Sequence, residues 1–178
     1  MSSTRNLETT SSIALWAESA FGPAPSDARL IARANEEMAE LLDAVANARF
    51  PDYPIEAADV TIVLCRYGQK LGIDVKAAAD STRDADPTNL LFRVAIDVNA
   101  AMSKLLRAVT ADASYVVKAA ALIDLVAMLA DFCRLCGVEL WDAVEDKMVV
   151  NHTRHWRQDG TGHGYHVRDV MTTEQQAH

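Results

Sequence analysis

Residues 35–45 read Asn-Glu-Glu-Met-Ala-Glu-Leu-Leu-Asp-Ala-Val, and residues 99–109 read Asn-Ala-Ala-Met-Ser-Lys-Leu-Leu-Arg-Ala-Val. Asn, Met, both Leu, Ala and Val keep their register, while Glu36, Glu37 and Glu40 are answered by Ala100, Ala101 and Lys104. Apolar residues at this spacing build one face of a helix. The scaffold positions are therefore shared between the two stretches and the carboxylates are not.

The correspondence continues downstream. Glu56-Ala-Ala-Asp59-Val-Thr-Ile-Val-Leu, running on to Leu71-Gly-Ile-Asp-Val75, is matched by Ala121-Leu-Ile-Asp124-Leu-Val-Ala-Met-Leu and then Cys136-Gly-Val-Glu-Leu140. The offset is 64 in the first block and 65 in the second. Two copies at this period are too few and too long for a solenoid. They suggest a duplicated helical hairpin folded as a pseudo-dimer, each copy covering the apolar face of the other. Copy one spans about 26–86 and copy two about 89–155, with Asp84-Ala-Asp-Pro87-Thr as the link.

Half of the 178 residues are apolar and only 6% are aromatic, a balance that favours one helical domain with a substantial core. The expected helices lie at about 11–20, 26–45, 55–71, 74–81, 89–110, 113–136 and 139–155. No segment alternates with period two over a useful length, so the chain reads as all-α. Residues 1–10 are polar and expected to be loose, 11–157 form the domain, and 158–178 are a Gly- and His-rich tail.

The net charge of −8 and the lack of a basic stripe argue against nucleic-acid binding. No apolar run is long enough for a membrane span, and the N-terminus has no apolar signal-peptide core. A cytoplasmic location is the expectation. Cys133-Arg-Leu-Cys136 is a CxxC placed mid-helix, with no second ligand pair at zinc-site spacing, so it and Cys65 read as buried thiols.

Glu37 and Glu40 are three residues apart, as are Glu56 and Asp59. Positions i and i+3 share a helix face, so each helix offers a pair of carboxylates, and a short connection turns the pairs toward each other. Four such oxygen donors suit Mg²⁺, with Mn²⁺ as a substitute. Glu36 adds a fifth carboxylate. The plain alternatives are solvated helix faces or an inter-helix salt-bridge network. Against them stands the like-charged row Glu36, Glu40, Asp43, each neighbouring pair of which costs about 0.2–0.5 kcal/mol. Asp59 moreover opens the run Val60-Thr-Ile-Val-Leu64 with no cation one turn away. An unpartnered buried carboxylate is costly. Asp124, without the other acids, is expected to be structural.

The pattern Glu36-Glu37-x-x-Glu40, 15 residues, Glu56-x-x-Asp59 resembles that of the all-α nucleoside triphosphate pyrophosphohydrolases, the MazG-like proteins related to dimeric dUTPases. Lys147-x-x-x-Asn151-x-x-Arg154 resembles the segment that closes these domains, and the similarity spans most of 12–157. The resemblance implies Mg²⁺-dependent cleavage of a nucleoside triphosphate to the monophosphate and pyrophosphate. A dUTP- or dCTP-type pyrophosphatase, a phosphoribosyl-ATP type enzyme and a catalytically silent helical binding protein are the alternatives. A di-iron bundle would need Glu-x-x-His pairs, which the sequence lacks.

At the positions of Lys147 and Asn151, copy one has Thr82 and Asp86. Each copy thus keeps what the other lost, and the expectation is one composite site, with acids from copy one and cations from copy two. Lys147, Asn151 and Arg154 stand at i, i+4 and i+7 on one helix face and are the candidate phosphate ligands; an ordinary basic helix end is the alternative. Glu36 or Glu40 is the candidate for polarising the attacking water. The segment from Trp156 to His166 is Gly-rich without a strand before it or a helix after it, so it is not a phosphate-binding loop. It could bring His163 or His166 to phosphate, or simply pack. Trp16, Trp141 and Trp156 read mainly as core, with at most one expected to touch a base. A homodimer is the expected assembly.

Overall fold

Helix boundaries follow local chemistry at the turns. Thr9 and Ser12 cap each other reciprocally at the start of α1 (Thr10–Phe21), satisfying two orphan donors at once. The Ser26 side chain accepts from the Arg29 amide at 3.1 Å and starts α2 (Asp27–Ala46). Pro54 sits in the first turn of α3 (Tyr53–Leu71), where a missing N–H costs nothing, and left-handed Gly72 ends that helix. Asp74 caps the short α4 (Val75–Asp80). The second half contributes α5 (Leu91–Thr110), α6 (Tyr115–Leu135) and α7 (Leu140–Thr153). The computed structural model describes residues 7–81, 90–158, 160–162 and 164–166.

The two long helix pairs, α2 with α3 and α5 with α6, pack on each other through α2 and α5. Helix α3 is the axle of the bundle: it touches α1, α2, α6 and α7. Its buried residues run from Tyr53 through Leu64 to Tyr67, and they join Ile31 and Met38 of α2, Met102 of α5 and Leu125 of α6 in one continuous core. Because the middle of α3 is surrounded, Asp59 there faces other helices and a cavity and is only 19% exposed.

The domain is all-helical apart from one feature that the sequence did not announce. Strand β1 (Trp156–Gln158) pairs antiparallel with β2 (Gly164–His166), with Trp156 opposite His166 and Gln158 opposite Gly164. The start of the expected tail is thus a hairpin laid on α1. The loose N-terminus also needs correction from Leu7 onward. Glu8 is buried; its carbonyl accepts from Trp141 Nε1 at 3.2 Å, and its carboxylate accepts from Ser12 and meets His152 at 3.0 Å. Cys133 lies in the last turn of α6 and Cys136 caps that helix, rather than both lying mid-helix; all three cysteines are free thiols. No helix among the described residues is long and apolar enough to cross a membrane.

Candidate functional site

Helices α2 and α3 each present acids to the same space. Oxygen atoms of Glu37 on α2 and of Glu56 and Asp59 on α3 all lie within 4.8 Å of one another. They open on a cavity of about 300 Å³ also lined by Glu40, Arg33, Lys147, Asn151 and Arg154. The acids and the cations of the sequence reading therefore share one cavity, although they come from opposite ends of the chain. Glu36 stands apart: it does not line the cavity, and its half-exposed carboxylate accepts from Arg33 at 3.0 Å with Arg29 at 3.7 Å. Glu40 is exposed at the rim. Thr82 and Asp86 of the link, and His163 of the tail, lie outside the described residues, as does the side chain of His166.

The electrostatics are those of carboxylates held out of water. Glu37 is only 7% exposed. Burial, reinforced by Asp59, Glu40 and Glu56, pushes its pKa up to about 7 against the pull of Arg33 one turn earlier. Burial raises Glu56 as well, with Asp59 and Glu40 adding to it. Asp59 is raised by burial although the Lys147 ammonium, which donates to its Oδ2, works the other way. Lys147 comes from α7, 88 residues along the chain. Asp59 has no cation one turn away on its own helix, as its neighbours Ile55 and Val63 imply, and finds its partner on another.

Asn151 adds a buried acceptor to the cavity wall. It is 4% exposed and lines the cavity, yet its Oδ1 is buried without a hydrogen-bond partner among the described residues. A buried carbonyl left unpaired costs roughly 1–3 kcal/mol, which a ligand with a donor would relieve.

Beyond the acids the cavity wall is aromatic. Trp16 and Phe21 of α1 meet Trp156 of β1 edge to face, with ring centroids 6.0 and 5.0 Å from Trp156. Two of the three tryptophans line the cavity, while Trp141 belongs to the core. The wall stands because the hairpin is clamped. Buried Arg66 donates to Glu18 at 2.8 Å, to the Gly22 carbonyl at 2.7 Å and to the Gly162 carbonyl at 2.8 Å. Gln158 Nε2 donates to the Ser19 carbonyl at 3.1 Å, and Trp156 Nε1 to the Asn151 carbonyl at 3.0 Å. Gly162 has φ +79°, and a Cβ there would stand 2.5 Å from the Ala24 Cα, so only glycine lets the loop come this close.

Arg33, Arg66, Phe21 and the clamped hairpin escaped the sequence reading. For Arg33 a signal existed: it precedes Glu36 and Glu37 by three and four residues. For Arg66, buried mid-helix in an apolar run, the only hint was an arginine where the periodicity demands an apolar residue.

The donor set fits a small hard cation. Mg–O distances of about 2.0–2.1 Å in an octahedron put ligand oxygens about 3–4 Å apart, and the three carboxylate oxygens, all within 4.8 Å of one another, need only small side-chain shifts to reach that spacing. No known protein family, curated protein or solved structure matches this chain.

Proposed function

We propose that the chain is a Mg²⁺-dependent nucleoside triphosphate pyrophosphohydrolase of the MazG-like, all-α kind, built from two fused helical units of which the second has lost its acids. One observation carries this reading: three converging carboxylates from α2 and α3 share a cavity with Lys147 and Asn151 of α7 and with Arg154, which reaches it from the extended C-cap of that helix rather than from the expected helix face. Acids alone would repel a triphosphate, and cations alone would hold it without activating it. Both sets in one cavity suit a polyphosphate with a divalent ion.

Glu37, Glu56 and Asp59 would hold the Mg²⁺, with Glu40 at the rim as the fourth acid. Bound there, the ion supplies Lewis-acid polarisation of phosphoryl oxygens. Lys147 and Arg154 neutralise charge on the phosphate chain and on the departing pyrophosphate. Asn151 Oδ1 accepts from a substrate hydroxyl or an ordered water. Glu40, which lines the cavity while Glu36 does not, takes the proton as a water oxygen bonds to the α-phosphorus and the bridge to the β-phosphate breaks. The products are a nucleoside monophosphate and pyrophosphate. The wall of Trp16, Phe21 and Trp156 gives the base a surface away from the charges.

The test is pyrophosphate release from a panel of ribo- and deoxyribonucleoside triphosphates, with Mg²⁺ and with chelator. Metal-dependent release from at least one supports the reading. No release from any would sink it and leave a helical binding protein.

A further inference from the structure

Lys147 has one hydrogen-bond acceptor among the described residues, the Oδ2 of Asp59, and Asp59 has no other donor. Both side chains are largely out of water, at 17% and 19% exposure. Asp59 is also one of the three residues whose oxygens converge for a cation. The ammonium therefore sits on an oxygen that a divalent ion would claim. Lys147 also borders a second, mainly apolar groove, lined by Pro54, Ile55, Val138 and Val150 together with Asp146 and Arg154. Lys147 thus stands on a ridge between two open spaces, and its flexible stem has room to carry the charge off Asp59.

We propose that Lys147 is the resident counter-ion of the acidic site and changes partner on loading: it holds Asp59 until a divalent cation takes that carboxylate, and the displaced ammonium then faces the phosphate chain. This rests on the metal-dependent reading above. The physical reason is that an ammonium and a dication repel at hydrogen-bonding distance, while a buried carboxylate requires one of them. Lys147 then opposes metal binding and assists phosphate binding, so the first ligand prepares the site for the second. Arg33 does not share this role, because it reaches Glu37 from the same helix, one turn away.

The discriminating variant is Lys147→Met, which keeps the stem and removes the charge. Calorimetric titration of the full chain with Mn²⁺ alone should show K147M binding about tenfold tighter than wild type, equivalent to about 1.4 kcal/mol. R154M, whose charge acts on Asp59 without a hydrogen bond, should gain less. With Mg²⁺ saturating, K147M should bind the Mg²⁺ complex of inorganic tripolyphosphate about tenfold more weakly. Opposite signs on the two ligands support the exchange. If K147M bound Mn²⁺ no better than wild type while D59N lost it, the exchange would be refuted and the metal site would stand. If neither wild type nor D59N bound Mn²⁺, the metal site and the exchange would fall together. Thermal unfolding guards against a folding artefact: metal-free K147M should melt lower than wild type and gain more from Mn²⁺, whereas an equal gain counts against the proposal.

Discussion

The α2–α3 pair and the α5–α6 pair show what an apolar framework leaves open. Both are long helices joined by a short turn and packed into the same core, and Met38 and Met102 are buried at matching positions. In α2 and α3 the inward acids outnumber the cations on the same two helices: Glu37, Glu56 and Asp59 crowd together, Arg33 answers Glu37 from one turn away, and Asp59 draws on Lys147 of α7. In α5 and α6 the corresponding positions hold Ala101, Ala121 and Asp124, and Lys104 where the first pair has Glu40. There Lys104 donates to Asp124 at 3.4 Å, both side chains being about half exposed, so charge is balanced in place. A framework at rest settles its charges locally. The first pair does so at Glu37 but needs α7 for Asp59, and it holds the candidate site.

The largest expected effect comes from removing that imbalance. Glu37→Ala or Asp59→Ala should lower pyrophosphate release by at least about 10²–10³-fold, the scale of losing a main electrostatic group in an active site. Steady-state rates, with circular dichroism to show retained helix, check it. The corresponding change in the other pair, Asp124→Ala, should leave the rate within about twofold. Equal losses at Asp59 and Asp124 would mean that the two pairs do not differ in function.

Lys147→Ala should reduce turnover by about 10–100-fold, the worth of one charge-assisted hydrogen bond, while the fold persists. Normal kinetics would dissolve the composite site and leave the acids to act without α7.

The next effect is on stability and has a definite sign. Glu37 carries a folded pKa of about 7 against an ordinary 4.5, so between those values the native state holds a proton that the unfolded chain has released. Stability from this group is complete below about pH 4.5 and is lost as pH rises through about 7. Glu56 and Asp59, both raised, act in the same direction. The metal-free protein should lose up to about 3 kcal/mol from Glu37 between pH 5 and 7.5, measured by urea unfolding. Glu37→Gln should flatten the slope, and Mg²⁺ should offset the loss at pH 7.5. A flat profile in the unaltered protein would show that burial does not hold a proton on Glu37.

The smallest effect concerns the silent pair. Placing Glu at 100, 101 and 104 together should add no activity, because Lys147, Asn151 and Arg154 line the other cavity. It should cost about 0.5–1 kcal/mol through the lost Lys104–Asp124 pair. A doubled rate would erase the distinction between the halves.

Much of this was legible because it is local. The i, i+3 spacing of Glu37 and Glu40, and of Glu56 and Asp59, fixes which acids share a helix face, whatever the helices pack against. The same local rule reaches Arg33, three and four residues before Glu36 and Glu37. The hairpin was illegible for a different reason: three-residue strands carry no usable period, and what holds them is buried Arg66 reaching across 96 residues to Gly162. Glu8 is similar, fixed by Trp141 at a separation of 133 residues.

Local spacing dictates the helices, the surplus of acid in the first pair and the sharing of one α7 face by Lys147 and Asn151, since each depends on neighbours within a turn or two. The tertiary structure decided that α7 lies along α3, that Lys147 meets Asp59, and that Trp156 closes the wall beside Asn151. Those contacts join residues far apart in the chain, and they come from how buried side chains fill space between helices, a property of the assembled core that no local spacing encodes.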